Sequence, residues 1–157
     1  MDDVEASGGL LERAIACAFE AHAGQKYSSP IPEPYILHPL RVMCAVEGTH
    51  ARMAAVLHDV IEDTEVTFVD LQSLGFPPSV IHAVDCLTHR DGETYAAYVE
   101  RVATDPIATI VKVADLRDNL RNNKRLPLTS DVLRRIRRYE QALSFLEPRL
   151  PDPAQSR

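Results

Sequence analysis

The chain contains Leu57-His58-Asp59-Val60-Ile61-Glu62-Asp63-Thr64, a segment that brings one imidazole and three carboxylates together. Side chains one residue apart on a helix point about 100° apart, and side chains four residues apart return to the same side. His58 and Glu62 would then share one side of a helix, with Asp59 and Asp63 on the adjacent side. We therefore expect these polar side chains along one helical edge, while the apolar residues between Met53 and Ile61 face a core.

The acidic edge of this segment needs a neutralising partner. Three carboxylates crowded on a partly buried surface repel one another unless a cation or protons neutralise them. A solvated acidic helix end would account for Glu62 and Asp63 alone. Because His58 and Asp59 are embedded in apolar residues, a metal site is the favoured interpretation. The solvated helix end remains the alternative.

Composition predicts one compact, soluble, cytoplasmic domain. The chain has 157 residues, of which 45% are hydrophobic and 25% charged, and a chain of this length can bury a core without disulfides. Cys17, Cys44 and Cys86 are isolated and flanked by apolar residues, which is typical of small buried side chains in a reducing compartment. No apolar run reaches membrane-spanning length, and the acidic start of the chain does not resemble a signal peptide. We therefore expect no membrane partner.

Charge is unevenly distributed along the chain. A formal net charge of −6 argues against a nucleic-acid partner, because such proteins normally carry a basic face. Basic residues nevertheless crowd the last third of the chain: Lys112, Arg117, Arg121, Lys124, Arg125, Arg134, Arg135, Arg137 and Arg138. Such a region can attract a small anion, and a phosphate ester beside a divalent cation is the obvious candidate.

Hydrophobic spacing predicts an all-α fold with seven or eight helices in a single domain. The proline-rich stretch from Gln25 to Pro34 is expected to be a surface loop, and no alternating strand pattern is present. We expect an N-terminal tail over 1–7, the helical domain over 8–147 and a flexible C-terminal tail over 148–157. The predicted helices cover about 8–23, 35–47, 50–62, 67–75, 77–87, 94–103, 105–123 and 129–146.

Two further polar residues stand in apolar surroundings on other helices. His38 follows Tyr35-Ile36-Leu37, and Asp115 follows Val111-Lys112-Val113-Ala114. A buried aspartate is unfavourable unless it is paired, capped or coordinated. Both residues become reasonable if they converge with His58 and Asp59 on one ion. Two imidazoles and two carboxylates suit manganese, iron, zinc or nickel, with positions left for water and substrate.

The order His38, His58-Asp59, Asp115 resembles that of the HD superfamily of metal-dependent phosphohydrolases. More narrowly, the chain is similar to the hydrolase domain of RelA/SpoT-type proteins and to the small alarmone hydrolases. The resemblance covers roughly residues 8–147. Its matching segments are Ala21-His22-Ala23-Gly24-Gln25, Pro34-Tyr35-Ile36-Leu37-His38-Pro39, His58-Asp59-Val60-Ile61-Glu62-Asp63-Thr64 and Val111-Lys112-Val113-Ala114-Asp115-Leu116-Arg117-Asp118-Asn119-Leu120.

This resemblance implies an HD-type helical bundle in which manganese is held by His38, His58, Asp59 and Asp115. Another divalent transition metal could take its place. In that family the substrate is guanosine 3′,5′-bis(diphosphate) (ppGpp) or its pentaphosphate relative, the alarmones of the stringent response. Hydrolysis releases pyrophosphate from the 3′ position.

The resemblance also implies roles for residues around the metal. Glu62 and Asp63 match the catalytic acidic pair, Asn119 matches a substrate-contacting asparagine, and Tyr139 matches a phosphate-contacting tyrosine. Lys26 falls where relatives commonly have an arginine near the nucleotide base, and a lysine cannot stack on a purine as a guanidinium does. From their position in the basic third, Lys112 and Arg121 are further candidates for binding phosphate.

Two alternatives stay open. The first is an HD-class phosphohydrolase that acts on another nucleotide or on a nucleotide cofactor. The second is a binding module that senses a nucleotide without hydrolysing it, although such a module has no need for Glu62 and Asp63 beside the metal. In either case the partner is a small-molecule nucleotide, and the chain could form a homo-oligomer.

Overall fold

A computed structural model describes residues 2–152 of the chain, with side chains from Gly9 onward. The all-α prediction is confirmed, because the described residues fold into helices with only one pair of very short strands. The helices are α1 (Asp2–Ala21), α2 (Leu37–Cys44), α3 (Thr49–Leu57), α4 (Val60–Asp63), α5 (Phe68–Ser73), α6 (Pro78–Leu87), α7 (Tyr95–Val102), α8 (Pro106–Asn123) and α9 (Ser130–Leu146). A short 3-10 helix, Glu147–Arg149, follows α9.

Helix α3 is the centre of the fold. It packs against α1, α2, α6 and α8, and Met53, Val56 and Leu57 are fully buried within it. Ala54 and Ala55 are also fully buried, so their small side chains let neighbouring helices approach closely. Because α3 lies inside the domain, the residue that follows its last turn, His58, is delivered to the interior rather than to the surface.

The single helix predicted over 50–62 is broken at His58 and Asp59. Helix α3 ends at Leu57 and the one-turn helix α4 begins at Val60. In a continuous helix the carbonyl of Ala55 would accept the backbone N–H of Asp59. Here that carbonyl accepts a hydrogen bond from Nδ1 of His58 at 2.7 Å. The imidazole thus competes for a helical acceptor, and His58 and Asp59 occupy a tight turn instead of a straight helical edge.

Helix α8 buries polar side chains as well as apolar ones. Its first turn is capped by Asp105, whose carboxylate accepts the backbone N–H of Ala108 at 2.7 Å. In its second half Asp115, Asp118 and Asn122 are buried, so this half is enclosed by the rest of the domain. Burial of charged groups is tolerated only where partners satisfy them, and these partners form the site described below.

The proline-rich loop contains a minimal ladder that the sequence pattern did not predict. Strand β1 (Lys26–Tyr27) pairs antiparallel with β2 (Glu33–Pro34), with Tyr27 opposite Glu33. Strands this short carry no alternation that a sequence pattern could reveal. The pairing turns Tyr27 into the domain, where it is 7% exposed, and leaves Lys26 exposed.

The first helix begins earlier than the sequence pattern predicted. Helix α1 begins at Asp2, whereas the periodicity indicated a start near Gly8. Of the predicted C-terminal tail, residues 153–157 lie outside the described residues. Within the described part of the chain, no helix is both long enough and apolar enough to cross a bilayer.

Candidate metal centre

The structure brings the predicted ligands His38, His58, Asp59 and Asp115 together from α2, α8 and the turn between α3 and α4. Nε2 of His38 lies 3.0 Å from Oδ1 of Asp115 and 3.9 Å from Oδ2 of Asp59. Nε2 of His58 lies 2.9 Å from Oδ2 of Asp59 and 3.6 Å from Oδ1 of Asp115. Two nitrogen and two oxygen atoms therefore surround one small volume, although some eighty residues separate the outermost of them in sequence.

These separations fit a shared divalent cation. Ligand atoms that bind one ion at about 2.0–2.2 Å stand roughly 2.8–3.6 Å apart at octahedral or tetrahedral angles. Three of the four observed separations, at 2.9, 3.0 and 3.6 Å, lie within this range, and the fourth, between His38 and Asp59, is wider at 3.9 Å. Nε2 of His58 is buried and has no hydrogen-bond partner of acceptable geometry among the described residues. A lone pair left without a donor in this position is what a metal ligand requires.

Nδ1 of each imidazole already donates a hydrogen bond. Nδ1 of His38 donates to Oδ2 of Asp118 at 2.8 Å, and Nδ1 of His58 donates to the carbonyl of Ala55 at 2.7 Å. These bonds fix the tautomer in which Nε2 carries the free lone pair. The Asp118 carboxylate also accepts Nε of Arg41 at 3.0 Å. Burial by itself would raise the pKa of Asp118, but His38 and Arg41 hold it below its usual value.

Asp115 is surrounded by donors. Its Oδ2 accepts Nζ of Lys112 at 2.8 Å, and its Oδ1 accepts Nδ2 of Asn119 at 2.6 Å. Burial by itself would raise the pKa of Asp115, yet Lys112 and the two imidazoles hold it well below its usual value. Burial likewise would lower the pKa of Lys112, and Asp115 raises it well above that of a free lysine. Both groups are thus charged and mutually dependent.

The electrostatic field of the cluster favours a positive charge at its centre. Burial by itself would lower the pKa of His58, but Asp59 and Asp115 raise it well above its usual value. The carboxylates therefore attract positive charge at Nε2. A divalent cation placed between the same atoms would satisfy this attraction and displace the proton.

Two tyrosines enclose the cluster on the side of the short ladder. The hydroxyl of Tyr35 donates to Oδ2 of Asp59 at 2.5 Å and lies 3.4 Å from Oδ2 of Asp63. The ring of Tyr27 stacks on His38 with ring centroids 4.8 Å apart, and its hydroxyl donates to Oδ1 of Asn119 at 2.7 Å. Tyr27 and Tyr35 therefore help to hold the ligands from one side.

Asp63 on α4 approaches the cluster through Tyr35, Glu62 precedes it in the chain, and both residues are exposed. Oε2 of Glu62 accepts the backbone N–H of His89 at 3.0 Å. Although the Asp63 residue as a whole is exposed, its carboxyl is partly enclosed, and this partial burial, together with the nearby charges of Asp59 and Glu62, raises its pKa. A carboxylate with a raised pKa at the open edge of a metal cluster is suited to accept a proton from water.

The predicted substrate residues occupy different settings. Lys112 and Asn119 donate hydrogen bonds to the Asp115 carboxylate, and the amide oxygen of Asn119 accepts one from the hydroxyl of Tyr27. Tyr139 is half-buried and packs against the core, while Lys26 is exposed on β1. Arg121 is exposed and lines a cavity of about 360 Å³. Their contacts with substrate stay predictions.

Several residues that support the cluster were not singled out from the sequence. Asp118 and Tyr35 bind ligands directly, yet each is far from its partner along the chain. Gln25 donates from Nε2 to the carbonyl of Asp63 at 2.9 Å and so holds the end of α4.

Known proteins with similar sequences cluster in one family, although no family model matches the chain. The bifunctional (p)ppGpp synthase/hydrolase SpoT of Escherichia coli K12 is 36% identical over 126 residues, which are 71% of this chain and 18% of that protein. The guanosine-3′,5′-bis(diphosphate) 3′-pyrophosphohydrolase MESH1 of Danio rerio is 32% identical over 145 residues, 85% of this chain and 79% of that protein. The chain thus spans less than a fifth of SpoT but most of MESH1.

A solved structure has the same fold. It is a metazoan ortholog of SpoT, described as hydrolysing ppGpp and acting in starvation responses. It superposes with a TM-score of 0.67 and 25% identity, covering 88% of this chain and 93% of the other. The helical bundle and its buried His-Asp cluster define an HD-type domain. Given the extent of the MESH1 match, the chain belongs to the RelA/SpoT-type hydrolase family of the HD superfamily.

Replacing Asp118 by alanine should weaken binding of a divalent cation about 10–100-fold, because partners that orient a metal-bound histidine typically contribute that much. The variant leaves Nδ1 of His38 without its acceptor. Isothermal titration of manganese into the metal-stripped protein measures the effect. Asp91→Ala, at an exposed turn position, is the matched control and should bind as the wild type does. Equal affinity in Asp118→Ala would show that His38 needs no such partner.

Proposed function

We propose that the chain is a manganese-dependent hydrolase that removes the 3′-pyrophosphate from ppGpp and from its pentaphosphate relative. The observation that carries this proposal is the convergence of His38, His58 and Asp115 on one small volume, with Oδ2 of Asp59 2.9 Å from Nε2 of His58. MESH1 and the metazoan ortholog of SpoT, which share the family, are hydrolases of ppGpp by name or description.

The chemistry follows from the side chains around the cluster. A divalent cation held there would supply a Lewis acid that lowers the pKa of water and neutralises charge on a phosphoryl group. His38, His58, Asp59 and Asp115 would hold it, and the hydrogen bonds to Asp118 and Ala55 would keep both imidazoles in the ligating tautomer. Asp63, whose pKa is raised, would accept the proton of the attacking water. Glu62 would help to position that water and to handle protons.

A basic cavity beside the cluster is suited to the nucleotide. It measures about 360 Å³ and lies between the loop Ser29–Ile31 and the last turns of α8. Arg121 and Arg125 line it, together with Arg41, whose guanidinium pairs with two carboxylates that also line the cavity, Glu33 and Asp118. Asn122 fixes the loop wall by donating from Nδ2 to the carbonyl of Ser28 at 2.5 Å. We propose that the nucleoside and its 5′-phosphates occupy this cavity while the 3′-pyrophosphate reaches the cation.

Hydrolysis of another nucleotide is the second candidate, and one observation favours it. Lys26, the residue predicted near the base, is exposed on β1, whereas its neighbour Tyr27 points inward. The position that carries an arginine in relatives therefore supplies no planar cation to a purine here. The metal chemistry would be the same, and only the cavity wall would differ.

A nucleotide panel tests the proposal. The metal-stripped chain is loaded with manganese and incubated with ppGpp, a deoxynucleoside monophosphate and a 2′-phosphorylated dinucleotide cofactor. We expect GDP and pyrophosphate from ppGpp in equal amounts and negligible turnover of the other compounds. Turnover of one of the others at a higher kcat/KM would replace the alarmone by that compound. Binding of ppGpp without any turnover would indicate a sensing module instead.

Substitution of Arg121 tests the placement of the nucleotide. Because Arg121 lines the cavity and has an exposed guanidinium, Arg121→Ala should raise KM for ppGpp about tenfold, the loss of one charge-assisted hydrogen bond. We expect kcat to stay within about twofold, since the residue does not touch the cluster. Arg134→Ala, which removes an exposed arginine of α9 paired with Asp131, is the control. Equal KM values in the two variants would move the nucleotide out of this cavity.

A further inference from the structure

The connection between α6 and α7, residues 88–94, is held by a single guanidinium. Arg101 on α7 is only 17% exposed, and each of its five N–H groups has a partner. Nε and Nη2 donate to the two carboxylate oxygens of Glu93 at 2.8 and 2.7 Å. Nη1 donates to the carbonyls of Asp85 and Cys86, and Nη2 to that of Thr88, at 2.8 to 3.1 Å. All five N–H donors of the planar guanidinium group therefore have acceptors.

These acceptors belong to the end of α6 and to the segment that follows it. The last carbonyls of a helix have no partner within the helix and need a donor from outside. Arg101 supplies it for Cys86 and adds a second donor for Asp85, which also accepts the backbone N–H of Thr88. The hydroxyl of Tyr98 supplies it for Leu87 at 2.6 Å. Through Glu93, Arg101 also fixes the far end of the connection. Its position therefore sets the path of the chain between Thr88 and Glu93.

The same connection carries the donor that holds Glu62. The backbone N–H of His89 donates to Oε2 of Glu62 at 3.0 Å, and among the described residues this is the hydrogen bond that orients the exposed carboxylate. Helix α4, which bears Glu62, is a single turn and cannot orient an exposed side chain by packing. The direction of the Glu62 carboxylate thus depends on where the amide of His89 lies.

We infer that Arg101 is a positioning residue for hydrolysis: it fixes the 88–94 connection so that the His89 amide aims the Glu62 carboxylate at the metal cluster. This inference rests on the proposed function, because it assigns Glu62 a part in turnover. Arg101 itself contacts neither the cluster nor the cavity proposed for the nucleotide. Its effect should therefore fall on kcat and not on binding of the nucleotide.

The test is a double-substitution cycle on the whole manganese-loaded chain with ppGpp. Arg101→Ala and Arg101→Lys should each lower kcat, the alanine variant by about 10–100-fold, because displacement of a catalytic group by about 1 Å has effects of that size. KM should change less than about twofold. In a Glu62→Ala background, Arg101→Ala should lower kcat no further, since the carboxylate that it positions is gone.

Arg90→Ala is the matched control from the same connection. Arg90 forms an exposed ion pair with Asp85 and donates no side-chain bond to a carbonyl of α6, so its loss should leave kcat within about twofold. Equal losses from Arg101→Ala in the Glu62→Ala and wild-type backgrounds would overturn the inference, because they would indicate a general effect on folding. Wild-type kcat in Arg101→Lys would overturn it as well.

A second readout separates this inference from the proposed function. The exchange rate of the His89 amide hydrogen, measured by NMR, should rise in Arg101→Ala and in Glu62→Ala but not in Arg90→Ala. This measurement needs no substrate. A wild-type chain that fails to hydrolyse ppGpp would refute the proposed function, whereas an unchanged His89 amide in Arg101→Ala would refute the positioning role.

Discussion

Replacing Asp115 by asparagine is expected to abolish both cation binding and hydrolysis, and to destabilise the fold. The carboxylate accepts hydrogen bonds on both oxygens, from Lys112 and from Asn119, and lies 3.0 Å from Nε2 of His38. An asparagine would turn its amide nitrogen towards one of these donors. It would also leave the Lys112 ammonium, which is 12% exposed, without a counter-charge. Breaking a buried ion pair from one side typically costs about 3–5 kcal/mol.

Urea unfolding and manganese titration measure the two effects separately. A second substitution, Lys112→Met, serves as the control because it removes the unpaired ammonium while keeping the length of the side chain. In Asp115→Asn/Lys112→Met part of the lost stability should return, but neither cation binding nor hydrolysis should. If Asp115→Asn retained wild-type affinity for manganese, Asp115 would not be a ligand and the cluster would have only a structural role.

Glu62→Gln and Asp63→Asn are each expected to lower kcat about 10²–10⁴-fold, the range for loss of a general acid or base. Cation affinity should stay unchanged, since neither residue is among the four ligands. Glu62→Gln is the sharper variant, because its amide oxygen can still accept the His89 N–H. The loss would then reflect the missing charge and not a displaced segment. Steady-state kinetics with ppGpp, together with manganese titration of each variant, measures both quantities.

The exposure of Glu62 separates its effect on kcat from any effect on stability. Because this residue is exposed on α4, Glu62→Gln should change the free energy of unfolding by less than about 0.5 kcal/mol. Glu65→Gln, exposed just beyond α4, is the matched control and should be fully active. Full activity of both Glu62→Gln and Asp63→Asn would remove the acidic pair from the mechanism and leave the cation alone to account for turnover.

Much of the fold could be predicted because it depends on local periodicity. The spacing of apolar residues located the helices that became α5 to α9 closely. It could not reveal the break at His58. That break depends on whether the carbonyl of Ala55 accepts the backbone N–H of Asp59 or Nδ1 of His58. Both the straight helix and the broken one have the same sequence pattern. The β1–β2 ladder is likewise invisible, since each strand has two residues.

In the site, too, local sequence patterns were informative and long-range contacts were not visible. His38 and Asp115 could be proposed as ligands because an isolated polar group in an apolar run signals an unmet need for a partner. The residues that orient the ligands could not be proposed from the sequence. Asp118 binds His38 from 80 positions away in the chain, and Tyr35 binds Asp59 from 24 positions away. Lys112 was predicted to bind phosphate from its charge; its ammonium binds Asp115, and its contact with substrate stays a prediction. Charge alone does not distinguish an internal counter-ion from a residue that contacts substrate.

The most direct test of the account is the dependence of ppGpp hydrolysis on bound cation. The chain is stripped with a chelator, titrated with manganese, and assayed for GDP and pyrophosphate at each point. We predict no turnover in the stripped protein and a linear gain that saturates at one manganese per chain. We also predict that neither signal develops in Asp115→Asn. Hydrolysis by the stripped protein, or full occupancy of one site without any release of pyrophosphate, would contradict the account.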